Sequence, residues 1–335
     1  MKILLYSDNH FSTYSSILRT RGEKYSTRLD NQIASLNWVE DTANSYGCEE
    51  IICLGDFFDR PELSAEEISA LKEIVWNNNI RHTFLVGNHE ISSGDNVFSS
   101  SNVFGFNCNA DVIASPCCFT TEDGCEICLL PYMTERNRKS IVELFGEKGN
   151  KRRVILSHND IKGINYGNVI SSIGYSLDEI EPYCDLFING HIHNEGQFGK
   201  IINIGNLTGQ NFSENGFKYH HRVLIVDTKD FHVMAVINPN AINFEKIEWE
   251  DALNNLYPPN SVVSIKCKEK DRPLADKFQD ENIIMKRVVV EYEPSEVKKE
   301  ENKIEIDHIK MFRDYCLETI GDSEILKEEL SYVCR

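Results

Sequence analysis

The chain has 335 residues, 41% of them apolar and 26% charged, with a formal net charge of −18. That length suits one large domain plus something smaller, and the composition is that of an ordinary soluble globular protein. The acidic balance argues against a free-standing nucleic-acid binder and suits a carboxylate-lined cation site, or a DNA grip shared with a partner.

In chain order, "KILLYSD" reads as a strand. Residues 26–45 follow with Leu29, Ile33, Leu36 and Val39 at helical spacing. "EEIICLGD" is a second strand. "SAEEISALKEIVWNN" is a helix, with Ser64 as N-cap and Glu67 completing a capping box. "RHTFLVGN" is a third strand. This strand–helix alternation predicts an α/β fold with helices on the sheet faces. Beyond Asp111 short strands dominate, broken by one helix near 135–146, and the order fits a two-sheet α/β sandwich over residues 1–240. Residues 241–295 read as a small α/β cap, with helices at "WEDALNNLY" and "RPLADKFQDE" and strands at "SVVSIKCK" and "MKRVVVEYE". Residues 296–335 read as a charged linker followed by one or two amphipathic C-terminal helices.

No apolar run approaches the roughly 18–20 residues of a membrane span, and the apolar stretch of "MKILLYSDNH" is too short for a signal peptide. The expected location is therefore cytoplasmic, with no membrane partner. The 11 cysteines are scattered, many inside apolar runs, and read as reduced core thiols. The densest group, in "SPCCFTTEDGCEICLLPY", has no distant second Cys-x-x-Cys, so it reads as a structural hairpin turning at Asp123-Gly124. The stretch "LRTRGEKYSTR" (18–28) is locally basic, and Arg19, Arg21, Lys24 and Arg28 are its candidates for contact with a DNA backbone.

The informative pattern lies at strand ends. "LLYSDNH" ends in Asp8 and His10, "IICLGDFFDR" in Asp56 with Asp59 three residues on, and "TFLVGNHE" in Asn88 and His89. "VILSHND" ends in His158, and "FINGHIH" in His191 and His193. In a parallel sheet these carboxyl ends share one edge, so five loops distant in sequence can converge. Imidazole, carboxylate and carboxamide donors suit borderline-to-hard divalent ions. Seven such ligands exceed the needs of one ion and suit two that share a carboxylate, clamp a phosphate and activate a water for in-line attack.

The ordered set "SDNH" (7–10), "GDFFDR" (55–60), "GNHE" (87–90), "SHND" (157–160) and "GHIH" (190–193) resembles the calcineurin-like metallophosphoesterase superfamily. The resemblance implies that Asp8, His10, Asp56 and His193 hold one ion, and that Asp56, Asn88, His158 and His191 hold the other, with Asp56 bridging. It makes His89 the catalytic histidine, which stabilises the transition state or protonates the leaving oxygen. Asp59 then orients either His89 or the metal ligands. Within the superfamily, "GDFFDRPELS", "CLLPYM" and the order of metal domain, cap, linker and terminal helices look most like the SbcD-type exonuclease subunit and its phage recombination relatives. Asn206 and Leu207 in "NIGNLTGQ", and Glu90 in place of a commoner Asp, depart from that pattern. The resemblance implies a DNA nuclease of a recombination or repair complex, using two divalent ions with Mn(2+) expected. Its implied partners are DNA, a second copy of the chain, and an SbcC-type ABC/SMC-like coiled-coil ATPase held by the C-terminal helices. The alternative is a phosphatase of the same superfamily acting on small phosphoesters or proteins.

Overall fold

The computed structural model describes residues 1–15, 24–92, 95–106, 109–166, 169–214, 216 and 218–291. The expected linker and terminal helices lie outside the described residues, as do Arg19 and Arg21. Met1–Glu291 forms one compact unit.

Two six-stranded sheets make its body. In the first, Lys2–Tyr6, Glu50–Cys53, Arg81–Leu85 and Ala110–Ile113 run parallel. Arg222–Asp227 and His232–Ile237 extend that sheet antiparallel. In the second, Cys125–Leu130, Arg152–Ser157, Leu186–Asn189 and Ile201–Asn203 run parallel, with an antiparallel strand on each edge. Alternation of side chains along each strand assigns the layers. Ile3, Leu5, Ile52 and Leu224 face Ile127, Leu129, Val154 and Ile188 between the sheets. Leu4, Tyr6, Ile51 and Cys53 face outward onto Leu29, Leu36, Val39 and Ala43 of the helix Thr27–Tyr46. Cys128, Leu130, Ile155 and Phe187 face outward onto Ile141, Phe145 and Ile180. The result is the α/β sandwich expected from the strand pattern.

Three local expectations are adjusted. The capping box of Ser64 and Glu67 forms, but the α-helix covers only Ala65–Ala70, continuing as a 3₁₀ turn over Leu71–Glu73. Ile74, Val75 and Trp76 are weaker helix formers. Side chains of the long helix also capture the backbone beyond, since Val75 N–H donates to Asn37 Oδ1 at 2.8 Å and Asn77 N–H to Glu40 Oε2 at 3.1 Å. Second, the helix expected near 135–146 is confined to Ile141–Phe145, because a second capping box, Ser140 with Glu143, fixes its start. Third, "NFEKIE" is a strand, Asn243–Glu248, which joins Ser261–Lys268 and Ile283–Glu291 in a three-stranded parallel sheet. Short helices at Trp249–Ala252 and Arg272–Lys277 lie between these strands. Phe212 from the body packs with Ile242, Phe244 and Val262 beneath this sheet.

The cysteine-rich stretch is the expected hairpin, Cys117–Thr120 against Cys125–Leu130, turning where Gly124 takes φ +78°. Cys118 and Cys128 sit directly opposite each other as free thiols, with their sulfurs in hydrogen-bond contact at 3.2 Å. Among the described residues no helix is long and apolar enough to cross a membrane.

Candidate metal centre

All five motifs leave the carboxyl ends of parallel strands, and the structure gathers their side chains at that edge. The first two loops are zipped together by backbone bonds: Asp8 N–H to Gly55 O (3.1 Å), His10 N–H to Asp56 O (3.0 Å) and Phe11 N–H to Phe57 O (2.6 Å). Six described residues other than glycine have positive φ, and four of them are Asp8, His10, Asp56 and His191. Each such backbone costs roughly 1–3 kcal/mol and persists only where the surroundings enforce it. The glycines beside the ligands act by two means. Gly55 needs its φ of +112°, whereas Gly190 is required by close approach, since a Cβ there would lie 2.0 Å from Ser7 Oγ.

Three side-chain clusters are close enough to share an ion: Asp8, His10 and His193; Asp56, His158 and His191; and His10, Asp59 and His89. The hydrogen bonds decide which atoms are available. Asp8 Oδ2 accepts from His191 N–H at 2.9 Å, leaving Oδ1 buried without a partner. Asp56 Oδ1 accepts from His89 N–H at 2.9 Å, leaving Oδ2 between the clusters, 3.1 Å from His158 Nε2 and 4.0 Å from His10 Nε2. His158 Nδ1 donates to Leu54 O at 2.7 Å, because a carbonyl can only accept, so Nε2 presents its lone pair towards that carboxylate. His193 Nδ1 faces Glu214 at 3.1 Å and His10 Nδ1 faces Asp59 at 3.2 Å. With both Nδ1 positions protonated, the two Nε2 lone pairs meet each other at 3.1 Å. Asn88 Oδ1 is buried without a partner. Facing lone pairs and orphaned buried oxygens are stable only with a cation or extra protons among them. Separations of 3.1–4.0 Å match neighbouring ligands on bonds of about 2.0–2.2 Å.

The titration behaviour agrees. Burial disfavours charge on His158, but Asp56 and Asp8 outweigh it and raise its pKa to about 9. Burial likewise opposes charge on His193, and Glu214 overrides it, again to about 9. Burial works against ionisation of Asp56 too, yet His158, His10 and His89 hold it well below the usual carboxylate range. Burial lowers His10. The raised imidazole pKa values mean that protons and cations compete for the nitrogens of His158 and His193.

His89 belongs only to the third of these clusters and is exposed, its Nδ1 3.1 Å from the carbonyl oxygen of Asp59. The Asp59 carboxylate lies closer to His10 (3.2 Å) than to His89 (3.9 Å). The Asp59 side chain thus lies nearer the cluster, and its backbone carbonyl is what meets His89.

Of the proposed DNA-contact set, only Lys24 and Arg28 lie within the described residues. Arg28 is corrected outright: it is 3% exposed, and its guanidinium donates to His10 O, Gly209 O and Gln210 Oε1 behind the centre. Helical periodicity placed Arg28 near the helix start but could not show that this turn faces the site. Lys24 is exposed with its ammonium 2.5 Å from Glu73.

Three acids went unassigned from sequence. Asp160, two residues after His158, faces His191 Nε2 at 3.3 Å. Glu214 supports His193. Glu90 accepts from Phe58 N–H, Ser101 Oγ and Gly87 N–H, tying two ligand loops together. Burial and the neighbouring Asp56 push its pKa up to about 7. Asp160 and Glu90 sat inside quoted motifs, whereas Glu214 carried no local signal.

Among solved structures the chain is similar to an archaeal phosphodiesterase (14% identity, TM-score 0.36, covering 71% of this chain and 99% of that one). It is also similar to a dimetal phosphatase from Danio rerio (12%, 0.42, 71% and 99%) and a calcineurin-like phosphoesterase from Bacillus subtilis (11%, 0.37, 71% and 88%). No curated protein matches. The family model of the calcineurin-like phosphoesterases matches residues 1–195, which contain all seven candidate ligands and His89. The chain belongs to the calcineurin-like phosphoesterase family.

Proposed function

We propose that this phosphoesterase is a DNA nuclease, the SbcD-like subunit of a recombination or repair complex, working with Mn(2+) as a homodimer beside an SbcC-type ATPase. The observation that favours this over a simple phosphatase is the three-stranded unit at 243–291 built onto the body. That succession of catalytic body, small cap and further chain is the one the sequence resemblance implies. The 44 residues from 292 to 335 leave room for a partner-binding segment.

In this reading Asp8, His10 and His193 would hold one divalent ion, Asn88, His158 and His191 would hold the other, and Asp56 would contribute to both. When bound, such a pair polarises a phosphate and lowers the pKa of a coordinated water. The protein's own residues do the rest. Backbone N–H groups of His89 and His191 fix the two aspartates. The Asp59 carbonyl accepts from the Nδ1–H of His89, so that Nε2 of the exposed ring is the side left to pass a proton to the departing 3′ oxygen. The centre is open to its substrate on the side of His89, His191 and His193, the less buried members.

The phosphatase alternative has one observation in its favour: with Arg28 buried and a net charge of −18, a cationic DNA track is reduced. Linear duplex DNA incubated with the chain and Mn²⁺, with and without a co-purified ATPase, separates the two. Nucleotide release supports the nuclease. Intact DNA in both arms, beside rapid hydrolysis of a small phosphomonoester, establishes the phosphatase instead.

A further inference from the structure

We propose that Glu214 is a positioning residue for one ion site: through Gln210 and Arg28, the 208–214 loop builds the outer wall of the Asp8–His10–His193 cluster. The proposal rests on reading that cluster as a cation site. Glu214 is 6% exposed and lies outside all five strand-end motifs. Both its oxygens are committed. Oε1 faces His193 Nδ1 at 3.1 Å, and Oε2 accepts from Gln210 N–H at 3.0 Å. Gln210 in turn grips the backbone of the first motif, its Nε2 donating to Asp8 O at 3.4 Å and Asn9 O at 3.3 Å. Its Oε1 accepts from Arg28, whose guanidinium also reaches His10 O. One loop thus holds the side chain of His193 and the main chain at Asp8 and His10.

The chemistry of that arrangement is specific. A carboxylate on Nδ1–H fixes the tautomer, aims Nε2 at the cluster and makes it a stronger donor. Burial works against the charge on Arg28, and the nearby carboxylates of Asp59 and Glu214 favour it. The neighbouring cluster has other supports: Leu54 O for His158 at 2.7 Å and Asp160 for His191 at 3.3 Å. Glu214 therefore controls one site and leaves the other standing.

The test uses the full chain, stripped with a chelator and titrated with MnCl₂ by calorimetry, with bound metal counted after dialysis. Wild type is expected to take up two ions. Glu214→Ala is expected to retain one at wild-type affinity and to bind the second roughly 10–100-fold more weakly. Glu214→Gln, whose amide oxygen still accepts the Nδ1–H, should fall between. The double variant Glu214→Ala/His158→Asn should hold no ion tightly. Two ions at wild-type affinity in a folded Glu214→Ala overturns the proposal, as does equal weakening of both. If Glu214→Ala fails to fold by circular dichroism, Glu214→Gln decides: one weakened ion supports the role and two unchanged ions refute it. A wild type that binds no Mn²⁺ would defeat the cation site itself, a result distinct from failure of Glu214 alone.

Discussion

Replacing Gly55 by alanine should dismantle one half of the centre, and the size of the effect can be worked out. The residue sits at φ +112°, and an added Cβ would lie 2.4 Å from His158 Nδ1 and 2.5 Å from its Cγ. The backbone strain is worth roughly 1–3 kcal/mol. The ring cannot swing aside freely, because it is fully buried and its Nδ1–H is committed to Leu54 O at 2.7 Å. Overpacking adds roughly 1–3 kcal/mol, and losing the buried hydrogen bond a similar amount. Because relief of one penalty increases another, the sum is about 3–6 kcal/mol, which in a domain of this size lowers the melting temperature by roughly 6–24 °C. Displacing His158 also removes a ligand from the cluster with Asp56 and His191. Gly47→Ala is the matched control, since Gly47 has φ +65° with nothing within 4 Å of the added carbon, so only backbone strain of roughly 1–2 kcal/mol applies. Differential scanning fluorimetry and metal counting on both variants give the comparison. Gly55→Ala should hold one ion and melt well below Gly47→Ala. If the two melt together and each keeps two ions, the placement of His158 against Gly55 is wrong.

His89→Asn should keep both ions by metal analysis and lose roughly 10²–10⁴-fold in turnover, because His89 donates a proton without serving as a ligand; loss of metal would reassign it. The ion-free protein should lose stability with rising pH. His158 and His193 have folded pKa values of about 9 against an ordinary 6.5, so their contribution is complete below about 6.5 and is lost as pH passes through about 9. Saturating Mn²⁺ should flatten that slope, because ion and proton compete for the same nitrogens; thermal melts across pH 6–10 with and without metal read both effects. Arg28→Ala should cost roughly 2–5 kcal/mol by chemical denaturation, since it strands buried acceptors beside the centre. The salt dependence of DNA binding should keep its slope in that variant, whereas losing a phosphate contact would reduce the slope by about 1.

The strand-end motifs, the sandwich and the donor types were legible in the sequence because each is local. A strand shows its period over five or six residues, and its final turn carries its own ligand. The capping boxes at Ser64 and Ser140 are legible for the same reason, although where those helices stop depends on distant side chains such as Asn37 and Glu40. Tertiary structure alone decided which atom of each ligand is available. Asp8 and Asp56 each spend one oxygen on a backbone N–H, from a loop 183 residues away in the first case and 33 in the second. It also decided that Arg28 turns inward, that the Asp59 carboxylate serves His10, and that Glu214 stands behind His193. No periodicity encodes such contacts, because they arise only when separate strand ends meet at one edge and every buried polar atom there must find a partner.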